Sequence, residues 1–242
     1  LTHASNVTGA IQPVEEVGAI AKSHGIRFLL DAAQSLGHLP VLARQLHADL
    51  IAAPGHKGLL GPLGTGILYI APGIESQLDT IRQGGTGTAS ENDWQPDTLP
   101  DKYESGNHNV PGILGLGAAL AFLAERTLDE VRRDEMRLVE RLLNGFQSLH
   151  RVRVLGPRDA ESRVGVVSIT IESYDPQEVA TMLDAAYSVQ VRSGFHCAPL
   201  MHTSLGTSER GGTVRFSIGA FTTVEQVDHA IQAVDEIAAS AI

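Results

Sequence analysis

The stretch "PVEEVGAIAKSHGIRFLLD", residues 13–31, decides the fold class. Pro13 stands at a first helical turn with acids beside it. Val14, Val17, Ile20 and Ala21 recur at helical spacing, and Gly25 ends the pattern. "IRFLLD", residues 26–31, then reads as a short strand buried on both faces. Moving outward, "ADLIAAPGHK", residues 48–57, offers a strand over 50–53 that stops at a Pro-Gly break, and "GTGILYIAPG", residues 64–73, a third. Helix and apolar strand in alternation predict a doubly wound α/β sheet.

Residues 82–112 change character. "RQGGTGTASENDWQPDTLPDKYESGNHNVPG" is rich in Gly, Pro, Asn and Asp and carries little periodicity, so a long loop is expected. Beyond Pro111 one helix is predicted through Glu125 and a second, charge-laced one through Leu149. Strands follow at "RVRVLG" and "VGVVSITI", then a helix from Pro176 to Tyr187, strands at "VQVR" and "TVRFSIG", and a closing helix from Val224. Two domains are expected: residues 1–112, including the loop 82–112, and a smaller α+β domain over 113–242.

The 242 residues are 43% apolar and 19% charged, the composition of a globular protein. A net charge of −10 with interspersed signs argues against nucleic acid or an anionic membrane surface as the main partner. The apolar run over 113–124 is too short to span a bilayer. One cysteine excludes an intrachain disulfide and any Cys-x-x-Cys metal set, so the cytosol fits best. Leu1 opens a stretch that is no signal peptide and reads like the end of a strand, so a chain cut from a longer one is expected. Ten histidines show neither H-E-x-x-H nor zinc spacing to the cysteine, and no metal is expected. "GGTGTAS" fails G-x-G-x-x-G, and no P-loop occurs.

In open α/β sheets ligands sit outside the carboxyl ends of the strands. Asp31 closes its strand with Gln34 one turn on, and Lys57 follows the next strand through a tight turn. An acid, an amide and a lysine on neighbouring strand ends are what pyridoxal phosphate needs. The lysine binds it covalently, the carboxylate keeps its ring nitrogen protonated, and the amide meets its ring hydroxyl. Each residue alone has a plainer reading, Asp31 as a helix cap and Lys57 as a solvated turn lysine. Cys197, in "VRSGFHCAPL" over residues 191–200, reads either as a packed, inert thiol or as a nucleophile.

Four blocks in order carry a resemblance: "LLDAAQSLGHLPV", "ADLIAAPGHKGLLGPLGTGILYI", "YESGNHNVPGILGLGAAL" and "VRSGFHCAPLMHTSLG…GTVRFSIGAFTT". Together they resemble the cysteine desulfurase and selenocysteine lyase family of class V, fold-type I pyridoxal-phosphate enzymes. The resemblance runs from "HASNVTG" to the last helix and covers about the last two-thirds of a family member. It implies a partial, mostly parallel doubly wound sheet plus a smaller C-terminal α+β domain. By it, Lys57 would hold the cofactor, Asp31 its ring nitrogen, Gln34 its ring hydroxyl and His56 its phosphate. Asn6 and Arg192 would hold the substrate carboxylate, and Cys197 would take sulfur from L-cysteine, leaving alanine.

Asn107 stands where the family has a threonine that reaches the neighbouring subunit's phosphate, and Pro54 stands where it often has serine, so phosphate contacts are expected to be weaker. The family's ring-stacking histidine and first phosphate loop are expected upstream of Leu1. The resemblance further implies a homodimer and a sulfur-acceptor protein. Arg192, His196 and the cofactor are expected to acidify the Cys197 thiol where they converge. Selenocysteine lyase or aminotransferase chemistry is the alternative, as is an inactive fragment or binding module.

Overall fold

The computed structural model describes residues 1–240. Helix α1, Val14–Ser23, forms where the apolar spacing predicts it, and Gly25 at φ 66° ends it. Strand β1 is shorter than its apolar run, Leu29–Asp31, and pairs in parallel with β2, Leu50–Pro54. It is covered on one face only: Leu30 is buried with Val14, Ala21, Phe28 and Ile51, whereas Leu29 is exposed. Strand β3, Gly66–Ile70, runs antiparallel to β2. Its direction follows from the link, because residues 55–65 hold no crossover helix of the kind a parallel return needs.

The loop at 82–112 holds one 3₁₀ turn, Gly87–Ala89, and gives way early to α2, Val110–Arg126, capped by the Asn109 side chain on the Gly112 amide. Helix α3, Leu128–Ser148, is amphipathic: Val131, Glu135, Leu138, Val139, Leu142, Leu143 and Phe146 share its buried face. A second sheet has the order β4-β5-β7-β6, antiparallel throughout, with β4 Val152–Leu155, β5 Val166–Ile171, β6 Arg192–Gly194 and β7 Thr213–Ser217. Helices α4, Pro176–Tyr187, α5, Pro199–Leu205, and α6, Val224–Ser240, complete this half. One core joins α3, α4 and α6 to β5 and β7. The predicted strand at "VQVR" forms later, at Arg192–Gly194, because the Val189 amide is spent on the Leu183 carbonyl at the end of α4. No single helix among the described residues is long and apolar enough to cross a membrane.

Residues 1–12 strap the two sheets together. Leu1 and His3 bond along β1, through Asp31 N to Leu1 O and His3 N to Asp31 O, both 2.9 Å. Thereafter the carbonyls turn to the other sheet. Asn6 O accepts from Arg215, Val7 O from Ser168 Oγ, Thr8 O from Arg163 and Gly9 O from Val164 N. The strap thus runs from the end of β1 to β5, β7 and the turn after β6.

Candidate active site

Asp31 sits at the carboxyl end of β1, half-buried, and lines an open cleft with Ala33, Ala52, Pro54, Tyr69 and Tyr103. Its Oδ1 accepts from Ala33 N at 2.9 Å and its Oδ2 from Thr2 Oγ1 at 3.4 Å. Gln34 follows, half-buried and without a hydrogen-bond partner among the described residues. The turn after β2 presents His56 and Lys57, both exposed and equally unpartnered. Its backbone is fixed by Leu60 N to Lys57 O at 2.8 Å and Gly61 N to Gly55 O at 2.7 Å. Gly58 is pressed against the next turn so closely that a Cβ there would lie 2.6 Å from the His38 ring. That ring is held in turn by Glu135 on α3, 2.5 Å from Nδ1. A rigid turn therefore offers a free amine at the strand end.

The second group of residues lies at the other end of the strap. Arg192 and Arg215 are register partners on β6 and β7. Between β6 and α5 the chain turns through His196 at φ 51° and Cys197 at φ 63°, closed by Ala198 N to Phe195 O at 2.9 Å. Cys197 is exposed, and Arg192 Nη2 donates to its Sγ at 3.0 Å. Asn6 Nδ2 donates to His196 O at 2.5 Å, and Asn6 O accepts from Arg215 Nη1 at 3.0 Å. The structure thus brings Asn6, Arg192 and Cys197 together, and separately sets Asp31, Gln34 and Lys57 on adjoining strand ends. Asn107 is exposed in the loop and touches neither group by a hydrogen bond.

Two differences from the sequence expectation stand out. His196 does not converge on the thiol: it is 2% exposed, its Nε2 meets Thr213 Oγ1 at 2.8 Å, and it is held neutral, its pKa lowered to about 4. Burial is the main cause, with the Arg215, His202 and Arg192 charges adding to it. Arg215 was not singled out from the sequence. Burial and repulsion from Arg192 lower its pKa, with Cys197 opposing, and its Nε is buried without a partner. Its sequence signal was a lone charge inside "TVRFSIG", between Val214 and Phe216, both buried.

Burial likewise lowers the pKa of His3 and His202. An imidazole that stays neutral in the fold but takes a proton when unfolded makes stability rise with pH. For His196 this contribution is complete above about pH 6.5, is lost as the pH falls toward about 4, and amounts to about 3 kcal/mol. Urea midpoints should therefore fall between pH 7.5 and pH 4.5, and fall less in His196→Gln. An equal drop in that variant would refute the assignment.

Comparison with known proteins places the chain in a family. Residues 1–230 match the aminotransferase class-V family. The probable cysteine desulfurase of Methanothermobacter thermautotrophicus is 38% identical over 98% of this chain and 60% of its own length. That of Pyrococcus abyssi is 35% identical over 98% and 59%. The apo cysteine desulfurase of Thermococcus onnurineus NA1 superimposes with a TM-score of 0.91 at 37% identity, covering 98% of this chain and 59% of that one. The cysteine desulfurase CsdA of Escherichia coli, in an S-sulfonic acid form, gives 0.88 at 27%, over 100% and 59%. The chain spans about three-fifths of the length of these relatives. With a family match over nearly its whole extent and a fold shared with solved members, this chain belongs to the aminotransferase class-V family.

Proposed function

We propose that this chain is the greater part of a pyridoxal-phosphate-dependent cysteine desulfurase, which converts L-cysteine to L-alanine and takes the sulfur as a persulfide on Cys197. The observation that carries the reading is the exposed thiol under a guanidinium, Sγ to Arg192 Nη2 at 3.0 Å, at one end of a strap whose other end is pinned to Asp31. The donor set suits the cofactor: a half-buried carboxylate lining an open cleft, with Ala33 as a small residue beside it, Gln34 unpartnered in the turn that follows, and His56 and Lys57 unpartnered in the turn after the paired strand β2. Lys57 would hold its aldehyde carbon, Asp31 its ring nitrogen, Gln34 its ring hydroxyl and His56 its phosphate. When bound, it supplies an electron sink for the α-carbon of the amino acid.

The remaining work falls to this chain's own side chains. Asp31 keeps a proton on the ring nitrogen, and Lys57 accepts the α-proton of the substrate. Arg192 offers a guanidinium fork for the carboxylate, beside Asn6. The Cys197 sulfur attacks the substrate sulfur as the carbon–sulfur bond breaks, and an external thiol later releases the transferred atom as sulfide. A thiol at this place has no use in transamination, which favours sulfur or selenium chemistry.

The separate apolar cores, one within residues 14–53 and one within 138–238, support a large cofactor-binding domain over 1–112 and a small one over 113–242. Val110, Ile113 and Leu114, exposed on α2, support a homodimer, in which Asn107 would serve the neighbouring subunit's phosphate. Cytoplasmic location and a sulfur-acceptor protein belong to the same reading. The test is product analysis: chain, pyridoxal phosphate, L-cysteine and dithiothreitol should yield alanine and sulfide in equal amounts. Sulfide without alanine, or alanine from L-selenocysteine alone, would sink it.

A further inference from the structure

Two consecutive non-glycine residues in left-handed backbone, His196 at φ 51° and Cys197 at φ 63°, do not hold that shape unaided. Several contacts over-determine it. Asn6 Nδ2 holds the His196 carbonyl at 2.5 Å, and Asn6 is itself fixed by Arg215 on its own carbonyl. The His196 ring reaches back to Thr213 Oγ1 at 2.8 Å, on a strand residue that pairs with Gly194 and is fully buried. His202 of α5 packs its ring 5.6 Å from that of His196 and is anchored to Thr207 Oγ1 at 2.8 Å.

We propose that His196 is a positioning residue: its ring, set on Thr213, and its carbonyl, held by Asn6, keep the Cys197 turn in the backbone conformation that carries Sγ to Arg192. The value of that placement for sulfur transfer rests on the desulfurase reading, but the placement itself does not. His196 moves no proton in this role. The groups facing its ring are Arg192 on β6, Arg215 on β7 and His202 on α5, and its second nitrogen, Nδ1, is buried without a partner. It therefore keeps one charge state from about pH 5 upward.

Cys197 is the chain's one cysteine, so alkylation reads its surroundings without labels or cofactor. Iodoacetate and iodoacetamide both consume the thiolate, and the ratio of their rates reports positive charge beside the sulfur independently of thiolate fraction. At low salt the folded chain should show a ratio about 3- to 10-fold above that of the urea-unfolded chain. His196→Leu and Thr213→Val should bring it within about twofold of the unfolded value, equally at pH 6 and pH 8. His196→Gln, whose amide still reaches a hydroxyl, should keep most of it. Thermal melts confirm folding, and if His196→Leu does not fold, Thr213→Val decides.

The proposal is overturned by a folded wild type with no elevated ratio, by wild-type ratios in the folded Leu and Val variants, or by Arg192→Gln leaving the ratio unchanged. A difference between pH 6 and pH 8 in the effect of His196→Leu would overturn it too. Because neither cofactor nor L-cysteine enters the measurement, failure to form alanine would strike the desulfurase reading and leave this result standing.

Discussion

Lys57→Ala is expected to abolish borohydride-fixed labelling by pyridoxal phosphate and to lower alanine formation by about 10⁴-fold or more. The chain offers two competing lysines, and both are otherwise engaged. Lys102 lies against the Glu75 carbonyl at 2.9 Å and Asp97 at 3.4 Å, with 11% of its side chain exposed. Lys22 lies beside His47 Nδ1 at 3.5 Å, on the surface near the end of α1. Lys57 alone combines a free amine with a backbone that cannot wander, because Gly58 is wedged under the His38 ring and the Leu36 carbonyl. Mass spectrometry of the reduced adduct should place one label on Lys57. A label on Lys22, or one retained in full by Lys57→Ala, would displace it from the role.

What the sequence made legible was whatever had a local signal. The helix at Val14–Ser23 announces itself through a proline, an apolar stripe and a terminal glycine, and α3 as a charge-laced stretch running to Leu149. The placing of Asp31 and Lys57 at neighbouring strand ends was readable because a strand end is a local feature. The direction of β3 was not, since alternation of elements implies a crossover that residues 55–65 lack. Half of the site also depended on pairing. Arg215 becomes a neighbour of Arg192 only when β6 meets β7, and the strap that delivers Asn6 is fixed by Ser168, Arg163 and Arg215, side chains more than 150 residues away. No window of sequence shows such a ladder. The same holds for His196, whose ring turned inward to Thr213 while its neighbour Cys197 faced solvent.

That distinction also bears on how the two groups of the site are kept in relation. Arg163 is fully buried, donates to Thr8 O and to Leu155 O at 2.7 Å, and has Nε and Nη1 unpartnered. Burial lowers its pKa to about 10, so it remains a cation at neutral pH. A charge so placed is costly, and its hydrogen bonds offset the cost by fixing the strap to the second sheet. The strap is thereby a stiff connector between Asp31 and the Cys197 turn, not a loop laid on the surface.

Glu135→Ala is expected to destabilise the fold by about 3–5 kcal/mol, the usual result of removing one partner from a buried ionic cluster. Glu135 is 5% exposed on α3 and receives His38 on Oε2 at 2.5 Å and Arg132 Nη1 on Oε1 at 3.1 Å. Arg132 would survive the loss, because it also donates to the carbonyls of Arg163, Ala160 and Glu161. His38 would not, since no other described hydrogen bond holds its ring, and that ring is what presses on Gly58 beside Lys57. The variant should therefore loosen the lysine turn as well as the fold, visible as faster amide exchange at Leu60 and Gly61 than the global loss explains. Replacing both members, His38→Leu with Glu135→Leu, should cost less than Glu135→Ala alone, because it leaves no unpaired imidazole behind, the Arg132 guanidinium losing its carboxylate equally in both. Chemical denaturation of the three chains decides it. If the double variant were the less stable, or the single one lost under about 1 kcal/mol, the cluster would be a surface-like pair and the lysine turn would owe its rigidity to its own backbone.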